Sequence, residues 1–159
     1  MALLTIGHTA PDFNALADDG RQVSLTDFKG HPVVLYFYPK ADTPGCTAES
    51  CAFRDHYADF QRAGVEVVGV SADDQASQAA FKAKYNLPFT LLADTDHQIL
   101  NAYGVWGDWA RTTSAGVEMR YTGIYRVTYV IDAQGKISQV LKDIDPANHS
   151  QDVLAQLAA

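Results

Sequence analysis

Two cysteines stand within one short stretch, Cys46-Thr-Ala-Glu-Ser-Cys51, and the chain has no others. A disulfide scaffold draws on more cysteines than two, and a zinc site normally draws four ligands. What remains is a pair of silent core residues or a pair of working thiols. Cys46 follows Pro44 and Gly45 at the start of a helical pattern, just after a run that reads as a buried strand. Free helix N–H groups point toward a side chain placed there, and the positive end of the helix dipole favours an anion. The thiolate is the nucleophilic form of cysteine. Pro44 suits a helix start because its missing N–H costs little, and Gly45 lets another molecule approach the backbone. Thr43 sets a hydroxyl three residues before the sulfur. Position therefore marks Cys46 as a candidate nucleophile. The competing reading is a small, buried, apolar residue.

The elements that would hold these thiols follow from the residue pattern. Residues 32–38, Pro-Val-Val-Leu-Tyr-Phe-Tyr, form a continuous run of apolar, β-branched and aromatic residues. That reads as a central strand buried on both faces and ended by Pro39. Residues 44–63 read as one helix, with Phe53, Tyr57 and Phe60 on its apolar face and Gly64 closing it. Val65-Glu-Val-Val-Gly-Val70 is a second buried strand, and residues 73–86 a second helix with Ala76, Ala80, Phe81 and Tyr85 inward. Short strands are expected at 21–25 and 89–92, a short helix at 97–103, a hairpin from 125–132 and 136–141, and a C-terminal helix at 146–157. Trp106 and Trp109 read as covers for apolar surface from a loop, with lining of the pocket mouth as the alternative. The order predicts an α/β fold with a central mixed β-sheet flanked by helices.

Composition narrows the function classes. The chain has 159 residues, a formal net charge of −7 and 47% hydrophobic residues, with no repeat, linker or low-complexity stretch. It reads as one domain over residues 1–159. No apolar run approaches the ~20 residues of a membrane-spanning helix. The acidic balance argues against nucleic-acid and membrane-surface partners. The N-terminus carries no secretory pattern, so a cytoplasmic location is expected, where neighbouring thiols stay reduced. His8, His31, His56, His97 and His149 are scattered without ligand spacing and read as surface or turn residues. No phosphate-binding glycine loop is present, and no metal or cofactor is expected. Asp73, Asp74, Asp94 and Asp96 lie near helix starts and read as caps.

The spelling around Cys46 adds to this. Pro39-Lys-Ala-Asp-Thr43-Pro44-Gly45-Cys46 has the form P-x-x-x-T-x-x-C and resembles the active-site motif of the peroxiredoxins. Its extension to Cys51 resembles the bacterioferritin comigratory protein, or PrxQ, branch. The flanking segments Ala10-Pro11-Asp12-Phe13, Phe28-Lys29-Gly30, Leu87-Pro88-Phe89 and Gly123-Ile124 with Arg126 are similar to that branch as well. The resemblance implies a thioredoxin-like fold and a thiol-dependent peroxidase acting on hydrogen peroxide and organic hydroperoxides. It implies Cys46 as the peroxidatic cysteine, Pro39 as a shield of the pocket, and Thr43 as a hydroxyl bonding thiolate and substrate. It implies Arg126, brought from a distant strand, as the charge that stabilises the thiolate and then the leaving oxygen. It implies Cys51 as the resolving cysteine and thioredoxin or a similar dithiol as reductant. Oligomeric state stays open, with a monomer as the default expectation, since an intrachain bond needs no second subunit.

For Arg126 the competing reading is a surface ion pair, and for Cys51 a structural helix residue. Val127 departs from the small hydroxyl residue common after the arginine, and residues 106–119 match weakly. Glu49 could orient Arg126, but a first-turn or capping carboxylate is expected.

Spacing adds a constraint. Five residues turn an α-helix by ~500°, so the two thiols point ~140° apart with a rise of ~7.5 Å. A disulfide needs Cα atoms within about 7 Å and converging Cβ vectors. Residues 45–53 are therefore expected to unwind on oxidation. Two rivals stand beside this reading. A thioredoxin-fold thiol–disulfide oxidoreductase would want C-x-x-C rather than the C-x-x-x-x-C seen here, and a binding or holdase module would leave the thiols incidental.

Overall fold

Among the described residues, seven strands make one sheet. The computed structural model describes residues 3–39, 44–112, 115–142 and 149–158. The strands are β1 (Asn14–Ala17), β2 (Gln22–Ser24), β3 (Val33–Phe37), β4 (Glu66–Ser71), β5 (Thr90–Ala93), β8 (Thr128–Ile131) and β9 (Ile137–Leu141), and they lie side by side in the order β2-β1-β5-β4-β3-β8-β9. β3 pairs parallel with β4, and β4 with β5, where helices make the crossovers. The remaining pairings are antiparallel, so the sheet is mixed as the pattern predicts.

β3 sits inside the sheet, and every one of its residues is buried. Alternation along it feeds two cores. Val33, Leu35 and Phe37 join one, together with Ile99 and Leu100 of α4 (Gln98–Ala102). Val34 and Tyr36, with Tyr38 beyond the strand, join the other. That second core is closed by Phe53 of α1 (Pro44–Asp55), Phe60 of α2 (Tyr57–Arg62), Phe81 of α3 (Gln75–Tyr85) and Val153 of α5 (His149–Ala158). Among the described residues, no helix is long and apolar enough to cross a membrane.

The structure adds β1, which the pattern did not mark, and differs from the pattern reading at three further elements. The helix expected over 44–63 is broken at His56, whose backbone leaves helical geometry (φ −103°, ψ 7°). Its ring Nδ1 lies 3.0 Å from the Ala52 carbonyl and 2.9 Å from Ser150 Oγ of α5, so a side chain and a neighbouring helix intrude on the ladder there. On α3, Ala76 and Ala80 are exposed, and the inward face is Gln78 and Phe81 with Tyr85 half-buried. Gln78 is tolerated there because its amide is satisfied: Nε2 donates to Ser71 Oγ and the Leu92 carbonyl, and Oε1 accepts from Tyr38 Oη. The supposed tryptophan loop is an antiparallel ribbon of β6 (Trp106–Thr112) and β7 (Glu118–Ile124), separate from the main sheet. Trp109 packs on Tyr125 at 4.6 Å between ring centroids, and its indole N–H donates to the Gly123 carbonyl.

Candidate active site

Helical spacing decides what α1 presents to the core. Cys46, Glu49, Ser50 and Phe53 recur at steps of three, one and three, and all four are buried. Phe53 stacks on Tyr36 with centroids 4.7 Å apart, and Ser50 Oγ lies 2.8 Å from Tyr36 Oη. The first turn of the helix is thereby fixed over the C-terminal end of β3. Cys46 is fully buried at that end. Cys51 falls outside this face and is half-buried, on the side of Arg54 and Asp55. Both thiols are free. Burial raises the Cys51 thiol above its ordinary value, with the Arg54 charge opposing.

Arg126 reaches this face from the segment between β7 and β8 rather than from within a strand. Its Nη2 lies 2.9 Å from Cys46 Sγ, and its Nη1 donates to Glu49 Oε1 at 3.1 Å. Val127 turns the other way and is buried in the opposite core, while its carbonyl accepts from the Phe37 N–H. The departure after the arginine therefore leaves the guanidinium's direction untouched, because the two side chains enter different cores.

Glu49 corrects the expectation of a capping carboxylate. It is wholly buried, it stands beyond the first turn, and it pairs with Arg126. Burial raises its carboxyl to about 8, with the Arg126 charge opposing. The signal for this was present in the sequence. A residue three beyond Cys46 on a helix must share its face, and a carboxylate there needs a cation to meet it.

His149 is the second correction. It is buried rather than at the surface, with Nε2 2.6 Å from Thr128 Oγ1 and its ring edge-on to Phe53. His56 is taken up by Ala52 and Ser150. Among the described residues, no group of His, Cys, Asp or Glu could hold a metal ion. Asp74 caps α3 through the Ser77 N–H, and Asp94 accepts from the Ile99 and Leu100 N–H groups, as caps should. Pro39 is exposed in the bend directly after β3. Thr43 lies outside the described residues.

Such an arrangement can do one kind of chemistry well. It places a sulfur nucleophile at a helix start, and it places a permanent cation where charge would develop when that sulfur attacks.

Known proteins similar to this chain are numerous. The AhpC/TSA family pattern matches residues 6–140. The chain is 44% identical over 151 residues to Peroxiredoxin Bcp of Escherichia coli strain K12, covering 95% of this chain and 94% of that one. A solved structure of a Xylella fastidiosa PrxQ mutant superposes with a TM-score of 0.88 at 28% identity, covering 99% of this chain and 98% of that one. The Xanthomonas campestris bacterioferritin comigratory protein, solved for insight into its alkyl peroxide reduction activity, superposes at 0.82 with 32% identity, covering 92% and 90%. These neighbours bear out the thioredoxin-like architecture.

Proposed function

This chain belongs to the AhpC/TSA family and is a peroxiredoxin enzyme, and from that premise we propose that Cys46 reduces hydrogen peroxide and organic hydroperoxides and that Cys51 resolves it. The observation that carries the reading is the 2.9 Å approach of Arg126 Nη2 to the buried Sγ of Cys46 at the start of α1. The Cys46 thiolate attacks one peroxide oxygen in line with the O–O bond. The bond breaks, the sulfur becomes a sulfenic acid, and the second oxygen leaves as water or alcohol. Arg126 stabilises the thiolate and then the charge on the leaving oxygen, which is differential stabilisation of the transition state. In this reading Thr43 bonds the thiolate and the substrate, and Pro39 shields the pocket. The alkyl peroxide activity of the Xanthomonas relative supports organic hydroperoxides as substrates here.

Cys51 then condenses with the sulfenic acid, releasing water and forming the Cys46–Cys51 disulfide. On an intact α1 one thiol faces the core and the other faces outward, so the bond requires residues 45–53 to unwind. Thioredoxin or a similar dithiol returns the disulfide to thiols, which suits a monomer in the reducing cytoplasm. No metal or other cofactor enters the cycle.

Peroxide consumption with a dithiol reductant tests this in three proteins. The wild type turns over. Cys46→Ser gives no turnover. Cys51→Ser gives a first turnover and impaired recycling. Equal consumption by Cys46→Ser would overturn the reading.

A further inference from the structure

The buried face of α1 holds one cation and two groups able to carry a negative charge. Arg126 touches both Cys46 Sγ and Glu49 Oε1. Glu49 is fully buried, and its Oε2 has no hydrogen-bond partner among the described residues. An ionised carboxylate accepts at both oxygens, so a bare buried oxygen fits a protonated carboxyl better than an anion. With a thiolate on Cys46 and a carboxylate on Glu49, two anions would share one guanidinium in a medium of low dielectric. With one of them neutral, the cluster balances.

We propose that Glu49 is a positioning residue that exchanges one negative charge with Cys46. It holds a proton while the sulfur is a thiolate, and it takes over the charge opposite Arg126 when the sulfur becomes a sulfenic acid. The inference rests on Cys46 being the peroxidatic sulfur.

The step balances. Sγ takes the distal oxygen as OH, the O–O bond breaks, and the alkoxide so released is matched by the proton that Glu49 gives up. Thiolate, hydroperoxide and carboxylic acid become sulfenic acid, alcohol and carboxylate. The net charge beside Arg126 is the same before and after, so no new charge is created in a site that water solvates poorly. The Glu49 carboxyl, raised by burial to about 8, holds its proton at neutral pH. The other titratable groups around it do not compete for this role. Tyr36, facing it from β3, has its phenol pushed well above the ordinary value by burial and stays neutral. α5 directs His149 to Thr128 and Phe53.

Proton counting tests the proposal. In the Cys51→Ser protein the reaction stops at the sulfenic acid, which a dimedone adduct counts. One equivalent of tert-butyl hydroperoxide is added in weak buffer with a pH indicator. At pH 7 little proton uptake is expected per sulfenic acid, rising to about one proton at pH 9, where Glu49 has already ionised. Adding Glu49→Gln keeps an acceptor for Arg126 and is expected to take up about one proton at both pH values. One proton at pH 7 with Glu49 present overturns the proposal, and so does uptake that ignores pH. If the glutamine variant fails to fold, thiolate absorbance at about 240 nm in the Cys51→Ser protein decides: a Cys46 thiolate at pH 7 together with little proton uptake supports the proposal, and a thiol there overturns it. Absence of any dimedone adduct overturns the peroxidatic reading itself, and the inference with it.

Discussion

Arg126 serves Cys46 and Glu49 with two nitrogens of one planar guanidinium. A lysine is a single point charge and cannot hold both in that geometry. Arg126→Lys is therefore expected to lower kcat/KM for hydroperoxide by roughly 10²–10³, the usual cost of losing one oriented donor at a developing charge. Stopped-flow measurement of Cys46 oxidation checks it, and a change within a few-fold would show that the contact is idle in the transition state. Gly69 matters for packing rather than chemistry. A Cβ there would lie 2.8 Å from Tyr36 Cζ and 2.9 Å from Leu91 Cδ2. The Tyr36 ring is held between Phe53 and Tyr38 and has little room to move. Gly69→Ala is expected to cost ~1–3 kcal/mol, read as a lower Tm. At this scale Cys46 and Arg126 were legible in the sequence, because motif and position name them. Glu49 was legible in part: its spacing from Cys46 sets its face on the helix, while its full burial and its pairing with Arg126 depend on which cation the fold brings to it.

α1 is a helix whose inward face both activates and restrains. In the proposed cycle disulfide formation must free it from Tyr36 and from Arg126, so amide exchange across 45–53 is expected to be much faster in the disulfide form than in the reduced form. The break at His56 sets a natural limit, and α2 should keep its protection in both. Indistinguishable exchange in the two forms would exclude unwinding. α5 adds a pH dependence. Burial lowers His149 from its ordinary 6.5 to about 4, so the native state holds it neutral where the unfolded chain protonates it. Between those values the unfolded state binds more protons, and stability falls as pH drops from 6.5 toward 4, by up to about 3 kcal/mol. Above pH 6.5 this contribution is complete. Glu49 acts in the opposite sense, since its raised carboxyl gains stability as pH falls, so the His149 contribution is read by difference: denaturant unfolding at pH 5 and pH 7 should show the wild type losing more stability, or gaining less, on acidification than His149→Asn. Most of these elements follow from the sequence, since runs of Val, Ile and aromatic residues and helical spacing are local signals. The interruption at His56 and the inward face of α3 do not, because Ser150 and Tyr38 are distant in the chain and decide them through tertiary bonds.

Both cores share β3, one on each of its faces, so neither can be lost while the other stays packed. We accordingly propose a single cooperative unit and expect fluorescence and far-UV circular dichroism to report coincident unfolding transitions. Separate midpoints would refute it. What the sequence by itself determined is the candidate nucleophile, the strand before it, the mixed α/β order and the angle between the two thiols. All of these follow from residue type and spacing along one stretch of chain. What only the tertiary structure decided is the company those residues keep. A contact between residues 46 and 126, the burial of Glu49 beside both, and the pairing of His149 with Thr128 arise where distant segments meet at one end of β3. There the low dielectric of the core, rather than any local preference, fixes which group carries the charge.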